Sequence, residues 1–355
     1  MRRWISSILL FAATALIVTA AKAEDLRLIR VQGNVYLLAG GPVNITVQIG
    51  REGALLVDAP PADRIGEAMA LIHKVSPLPI RYLISTAGDE ERMGGDQALE
   101  AYAEPLPGNS VSALVGTGST LISLVHANTL NRLDARQPDG RPVLDGGVIS
   151  NEYDTPSKDF YMNDDAVIVY FAAAAHTDGD SMVHFRHADV LSTGDIFTPG
   201  QFPRVDLGRG GSVQGELAAL NHLLEIAIPA DYEEGGTYII PGRGRICDEA
   251  DLVEYRNMVR IVTDRVQDLY SRHQNLQQVL KTQPAFDYET EYGGRHGGPS
   301  ADQFVAAVYE SLARPPQALL DSFSADIGNR YGMAVNVTLP RPARTPRGGL
   351  AGTQP

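Results

Sequence analysis

The chain has 355 residues, 30 of them basic and 43 acidic, with a formal net charge of −13 and one cysteine. A surface this acidic argues against nucleic acid or anionic lipid as a partner, and one cysteine excludes an intrachain disulfide. The length suffices for one large α/β domain with an appendage.

Arg2 and Arg3 precede an apolar run from Trp4 to Ala21, and Ala21-Lys22-Ala23 places small residues at a cleavage point. This is the pattern of a secretory signal peptide over residues 1–23, so the mature chain is expected to be periplasmic or secreted and free of membrane contact. The apolar run is at the short end for a span, which leaves an uncleaved anchor as the alternative. Without the leader, 27 basic residues face 43 acidic ones, a net charge of −16. In an oxidising compartment the lone Cys247 is expected to be buried rather than functional.

Residues 29–38 and 43–49 read as strands, and Gly50 to Gly53 turns the chain into a third that ends at Asp58. Ile65, Ala68, Met69 and Ile72 fall at helical spacing, and Pro77 ends that helix before a strand over 79–85. This strand-helix-strand unit delivers residues 86–92 onto a loop. A helix is expected at about 96–103, followed by a Gly-, Pro- and Ser-rich segment at 105–120. Strands follow at 166–171, 181–186, 189–193 and 237–241, with a helix at 212–228. A longer helix at 248–271 is capped by Asp248, with Asp251 at its third position. Residues 284–300 read as a loop, 301–313 and 315–323 as helices, and 340–355 as a disordered tail.

The runs AHTDGDS at 175–181 and LSTGDIF at 191–197 put His176 and Asp195 on one edge of a hairpin. With LLVDAPP at 55–61, LISTAGDEERMGG at 83–95 and YIIPGRGRICDEADL at 238–252, the order of motifs resembles that of the metallo-β-lactamase superfamily of hydrolases. The resemblance implies an αββα sandwich, two mixed sheets face to face with helices outside, over residues 24–270. A helical C-terminal extension would occupy 271–339. It also implies that His176 and Asp195 sit at the family's metal positions. The family's first metal motif, H-x-H-x-D-H, is here Ala87, Gly88, Asp89, Glu90, Glu91 and Arg92. Its late histidine is Arg243. Two of the seven usual ligands remain unchanged, so a dinuclear zinc centre is not expected.

An arginine keeps its proton and cannot ligate a metal. Arg92 and Arg243 would therefore replace the second ion with fixed positive charge. Three readings stay open. Asp89, Glu91, His176 and Asp195 could hold a single divalent ion such as zinc, manganese or iron. The same residues could instead form a metal-free network of ion pairs. In the third, His176 acts as a general base while Arg92 or Arg243 stabilises an oxyanion. Two function classes follow: a catalytically silent binding protein that reuses the cleft for a small molecule, or a mononuclear hydrolase of an ester, lactone or amide. Oligomeric state cannot be read from these residues. His126 is expected to pack rather than ligate, His184 to face solvent or the next layer, and His222 to be exposed. His73, His187, His273 and His296 have no ligand-spaced partner.

Overall fold

The computed structural model describes residues 25–104, 121–134, 149–232, 235–294 and 297–314. The expected leader, the segment 105–120, the helix at 315–323, the tail and His296 lie outside them. Among the described residues no helix is long and apolar enough to cross a membrane.

Two sheets form the centre. The first runs in chain order: β1 (Arg27–Gln32), β2 (Val35–Ala39), β3 (Ile45–Gly50), β4 (Gly53–Val57), β5 (Ile80–Ile84), β6 (Ile122–His126) and β7 (Asn151–Tyr153). The second has the order β12 (Tyr238–Ile240), β11 (Val190–Ser192), β10 (Asp180–Phe185), β9 (Asp165–Ala172) and β8 (Ser157–Met162). Their inner faces meet through Leu55, Val57 and Ile84 on one side and Val169, Val183 and Phe185 on the other. Strand β4 is buried on both faces, since the intervening Leu56 packs outward against Met69 and Ile72 of α1 (Ile65–Ile72). A strand covered on both faces reads as a continuous apolar run, which is why ALLV carries no polar alternation.

The outer face of the second sheet is covered by α5 (Val213–Ile226) and α6 (Glu249–Ser271). Asp248 and Asp251 form the expected capping box on α6. Beyond it come α7 (Leu276–Lys281), α8 (Phe286–Tyr292) and α9 (Ala301–Ala313). Val279, Phe304, Val305 and Val308 of this extension share one apolar core with Leu220 and Val259. The extension is thus part of the same folded body, not a separate lobe.

Three local expectations change. The single strand at 29–38 is a hairpin that turns at Gly33, where φ is 54°; the long apolar run hid a Gly-Asn turn signal. The helix at 96–103 shortens to α3 (Asp96–Leu99) and a single 3-10 turn, Glu100–Tyr102. The loop at 284–300 contains α8, whose Tyr292 is buried near Phe202.

His126, just before α4 (Ala127–Asp134), packs as expected, stacked on Phe171 at 3.7 Å with the edge of Tyr153 at 5.0 Å. Burial pushes its pKa down to about 4. The unfolded chain therefore takes up this proton first, so the contribution to stability is full above about pH 6.5 and is lost as pH falls toward 4. His126→Phe should remove that acid sensitivity, about 1.4 kcal/mol per pH unit across this window. Losing the acceptor for the Asn128 N–H, at 3.2 Å, adds an offset that does not vary with pH. Urea unfolding of both proteins at pH 7 and pH 5 checks the difference in slope.

Candidate functional site

Five strand ends open onto one edge of the sandwich. Asp58 follows β4, Asp89 follows β5 and caps α2 (Glu90–Met93), and His176 lies between β9 and β10. Asp195 sits in the 3-10 turn Gly194–Ile196 after β11, and Arg243 follows β12. Loops that leave strand ends on one edge are where open α/β sheets gather their chemistry.

At the bottom lies Arg92, whose side chain is 0% exposed. Its Nε donates to Asp195 Oδ2 at 2.8 Å and its Nη2 lies 2.6 Å from Asp195 Oδ1, while Nη1 donates to Asp58. Asp58, with φ of 65°, also accepts from the Thr86 N–H at 2.7 Å and from the Thr86 hydroxyl. The forked guanidinium matches this pair of carboxylates as an ammonium could not. Burial acts against the Asp195 charge, but Arg92 with His176 and Arg243 outweighs it and holds the carboxyl well below the usual range. At Asp58 burial wins and shifts the group upward, so Asp195 is the firmer partner. Room for Arg92 depends on Gly242: a Cβ there would stand 2.5 Å from Arg92 Nη2 and 2.3 Å from the Gly194 carbonyl oxygen.

Above this buried layer, His176 Nδ1 donates to the Arg204 carbonyl at 2.6 Å, which turns Nε2 toward Asp89 Oδ2 at 3.3 Å. Burial disfavours the imidazolium, yet the Asp89 carboxylate beside it and the charges of Asp180 and Asp195 raise the His176 pKa to about 9. Asp89 also pairs with Arg209 at 2.6 Å, and Arg209 with Asp206 at 2.7 Å. Arg243 pairs with Glu91, and its Nε stands 3.8 Å from Asp195 Oδ1. These side chains line a cleft of about 520 Å³. Its far wall comes from the extension, through Gly297, Gly298, Pro299, Gln303 and Ala307.

One group among the described residues has the makings of a metal centre. Asp89, His176 and Asp195 each offer a ligand atom, all within 4.8 Å of one another. Asp89 Oδ2 and Asp195 Oδ1 are buried without a hydrogen bond. One imidazole with two carboxylates suits a single hard or borderline ion. Both carboxylates already face cations, however: Asp195 faces Arg92 and Arg243, and Asp89 faces Arg209 and His176. Glu91 stands outside the group, half exposed and held by Arg243. A second ion would meet guanidinium groups where it needs ligands.

The structure thus brings together His176, Asp195, Asp89, Arg92 and Arg243, with Glu91 at the rim. It separates the two arginines by burial, which their positions in the sequence do not show. Asp58, Arg209, Arg204 and Asp206 also belong to the site and carried no assigned role. Asp58 had a signal, a carboxylate closing an otherwise apolar strand; Arg209 and Arg204 lie in an irregular segment with none. His184 is buried, 8% exposed, so of the two placements expected for it, solvent or the next layer, it does not take the first. Strand β10 is covered on both faces, and alternation carries no information there. His222 is partly exposed, with its ring edge-on to Tyr170.

No protein-family model and no curated protein matches the chain. Solved structures do. A stereoselective inverting sec-alkylsulfatase from Pseudomonas sp. is 14% identical, with a TM-score of 0.58 over 87% of this chain and 55% of its own. A double mutant of the sec-alkyl sulfatase PisA1 is 13% identical, with a TM-score of 0.59 over 86% of this chain and 54% of its own. The DIM-1 metallo-β-lactamase is 17% identical over 66% of this chain and 97% of its own, with a TM-score of 0.49. The chain spans about half the length of the alkylsulfatase structures. At such identities the likeness is one of fold.

Proposed function

We propose that this chain, which has the metallo-β-lactamase fold, is an exported protein that has turned the hydrolase cleft into a binding site for a small molecule. The observation that carries the reading is Arg92, sealed from solvent between Asp58 and Asp195. A fixed guanidinium supplies the positive charge that a second metal would bring, and it leaves Asp195 no free charge to offer. Arg243 repeats the substitution at the rim by holding Glu91.

A protonated imidazole has no lone pair with which to accept a proton. With its pKa raised to about 9, His176 is charged at neutral pH, which argues against a metal-free general base. The grouping of Asp89, His176 and Asp195 favours one alternative, a mononuclear hydrolase of an ester, lactone or amide. The alkylsulfatase neighbours would extend that list to a sulfate ester. An ion there would supply Lewis-acid chemistry and an activated water. In that case Asp89 and Asp195 would orient it, and Arg92 would hold Asp195 in place.

Elemental analysis of tag-free protein, purified without chelator or added metal, separates the two. Binding without metal predicts well under one equivalent of zinc, manganese or iron per chain and a melting temperature that does not change on chelation. One equivalent, with a clear fall in melting temperature on chelation, would overturn the proposal in favour of the hydrolase.

A further inference from the structure

The charges lining the cleft are matched with one exception. Asp195 pairs with Arg92, Glu91 with Arg243, Asp206 with Arg209, and Asp89 with Arg209 and His176. Arg204 also lines the cleft, and among the described residues it has no carboxylate partner. Among those residues its side chain makes one hydrogen bond, from Nη2 to the Gly297 carbonyl at 2.9 Å, and its buried Nε meets no acceptor. A guanidinium held at one corner by a neutral carbonyl keeps its full charge and most of its donors for something else. Beside it the wall is apolar: Pro203, Val205, Leu207, Pro299 and Ala307.

We propose that the ligand of this cleft is a small organic anion whose carboxylate or sulfate group seats on Arg204 and whose short apolar body lies against that wall. The inference rests on the binding reading given above and adds the chemical class. A planar guanidinium forms forked hydrogen bonds with either oxyanion, so both head groups belong to one chemistry. Repulsion of an incoming anion by Asp89, Glu91 and Asp206 is reduced, because each is paired with an arginine: Glu91 with Arg243, and Asp89 and Asp206 with Arg209. Placing the anchor between the 203–207 segment and Gly297 also gives the extension a role: it forms the second wall of the site.

The test uses hexanoate and hexyl sulfate as probes, hexan-1-ol as the neutral control and hexyltrimethylammonium as the cationic one. Binding is measured by calorimetry on the full mature chain. Wild type should prefer both anions to hexanol by about ten- to hundredfold, the range of one charge-assisted contact. Arg204→Gln should lose the preference, and Arg204→Lys should retain part of it for both head groups. The Arg204 carbonyl that receives His176 belongs to the backbone, so the variants keep it. A melting temperature equal to that of wild type confirms an intact fold. Equal affinity for hexanol and the anions would overturn the anionic class while leaving the binding reading in place, and binding of none of the probes would overturn the inference as well. Preference for one anion over the other, lost in Arg204→Gln, would support it and name the head group.

Discussion

Arg92→Ala should lower stability by about 3–5 kcal/mol, a fall of about 5–8 °C in melting temperature for a chain of this length. The guanidinium is the cation that reaches both Asp58 and Asp195, and both carboxylates are almost wholly buried. Removing it leaves charge stranded in a sealed space, where desolvation is not offset. Arg243→Ala makes the contrast. Its partner Glu91 is 52% exposed, so that pair should contribute about 1 kcal/mol or less. Two further arms identify the cause. Adding Asp195→Asn to Arg92→Ala should recover part of the loss, since it removes one of the orphaned charges. Zinc or manganese should also stabilise Arg92→Ala, because a dication can replace the missing positive charge between the two carboxylates. Equal losses for the two arginine variants, measured by urea unfolding at one pH, would mean that the buried pair is not what holds this edge together.

The second large effect is expected as pH rises from about 4.5 rather than as it falls. Asp96 and Glu216 are both 0% exposed, and among the described residues none of their carboxyl oxygens finds a hydrogen-bond partner. Asp96 lies beside Asp58, with Ser85 adjacent but not in hydrogen-bonding geometry; Glu216, in the first turn of α5, feels Asp180, His176 and Asp195. Arg92 cannot compensate a third carboxylate. Burial, with these neighbouring charges, drives both groups well above their ordinary values of 3.8 and 4.5. Below those values folded and unfolded chains are both protonated, and the groups cost nothing with pH. Above them the unfolded chain ionises while the folded one keeps its protons, so stability is lost as pH rises toward the folded pKa. Asp96→Asn and Glu216→Gln remove the proton without changing shape. Relative to either variant, wild type should lose about 1.4 kcal/mol per pH unit per carboxyl above about pH 4.5. Unfolding free energies at pH 4.5, 6 and 7.5 would show this as diverging profiles; parallel ones would mean that these carboxyls are hydrated or paired in solution.

The two predictions draw on different layers of the same site, and only one layer was legible beforehand. The order of LLVDAPP, the loop at 86–92, His176, Asp195 and Arg243 resembles that of the metallo-β-lactamase superfamily, and that resemblance implied the sandwich. Helical spacing located α5, α6 and α9, and a capping box marked the start of α6. These features are local: they depend on residues a few positions apart, which the chain carries with it into any fold.

What the sequence determined by itself is therefore the fold, the edge on which the chemistry gathers, and the loss of the histidines that a dinuclear centre would need. It could not rank Arg92 against Arg243, because both stand where the family has histidine; their difference is one of depth. Depth is decided by Gly242, whose missing side chain admits the Arg92 guanidinium, and by Thr86, which fixes Asp58 to receive it. Nor could it foresee Arg209, Arg204 and Asp206, which enter from the segment 203–209: Arg209 reaches Asp89 and Asp206, and Arg204 reaches the Gly297 carbonyl of the extension. Charge balance is a sum over neighbours in space, and here those neighbours include residues distant in sequence, such as Arg92 with Asp195, Arg209 with Asp89 and Arg243 with Glu91. Only the tertiary structure sets which charges cancel, and among the described residues it leaves the cleft's Arg204 without a carboxylate.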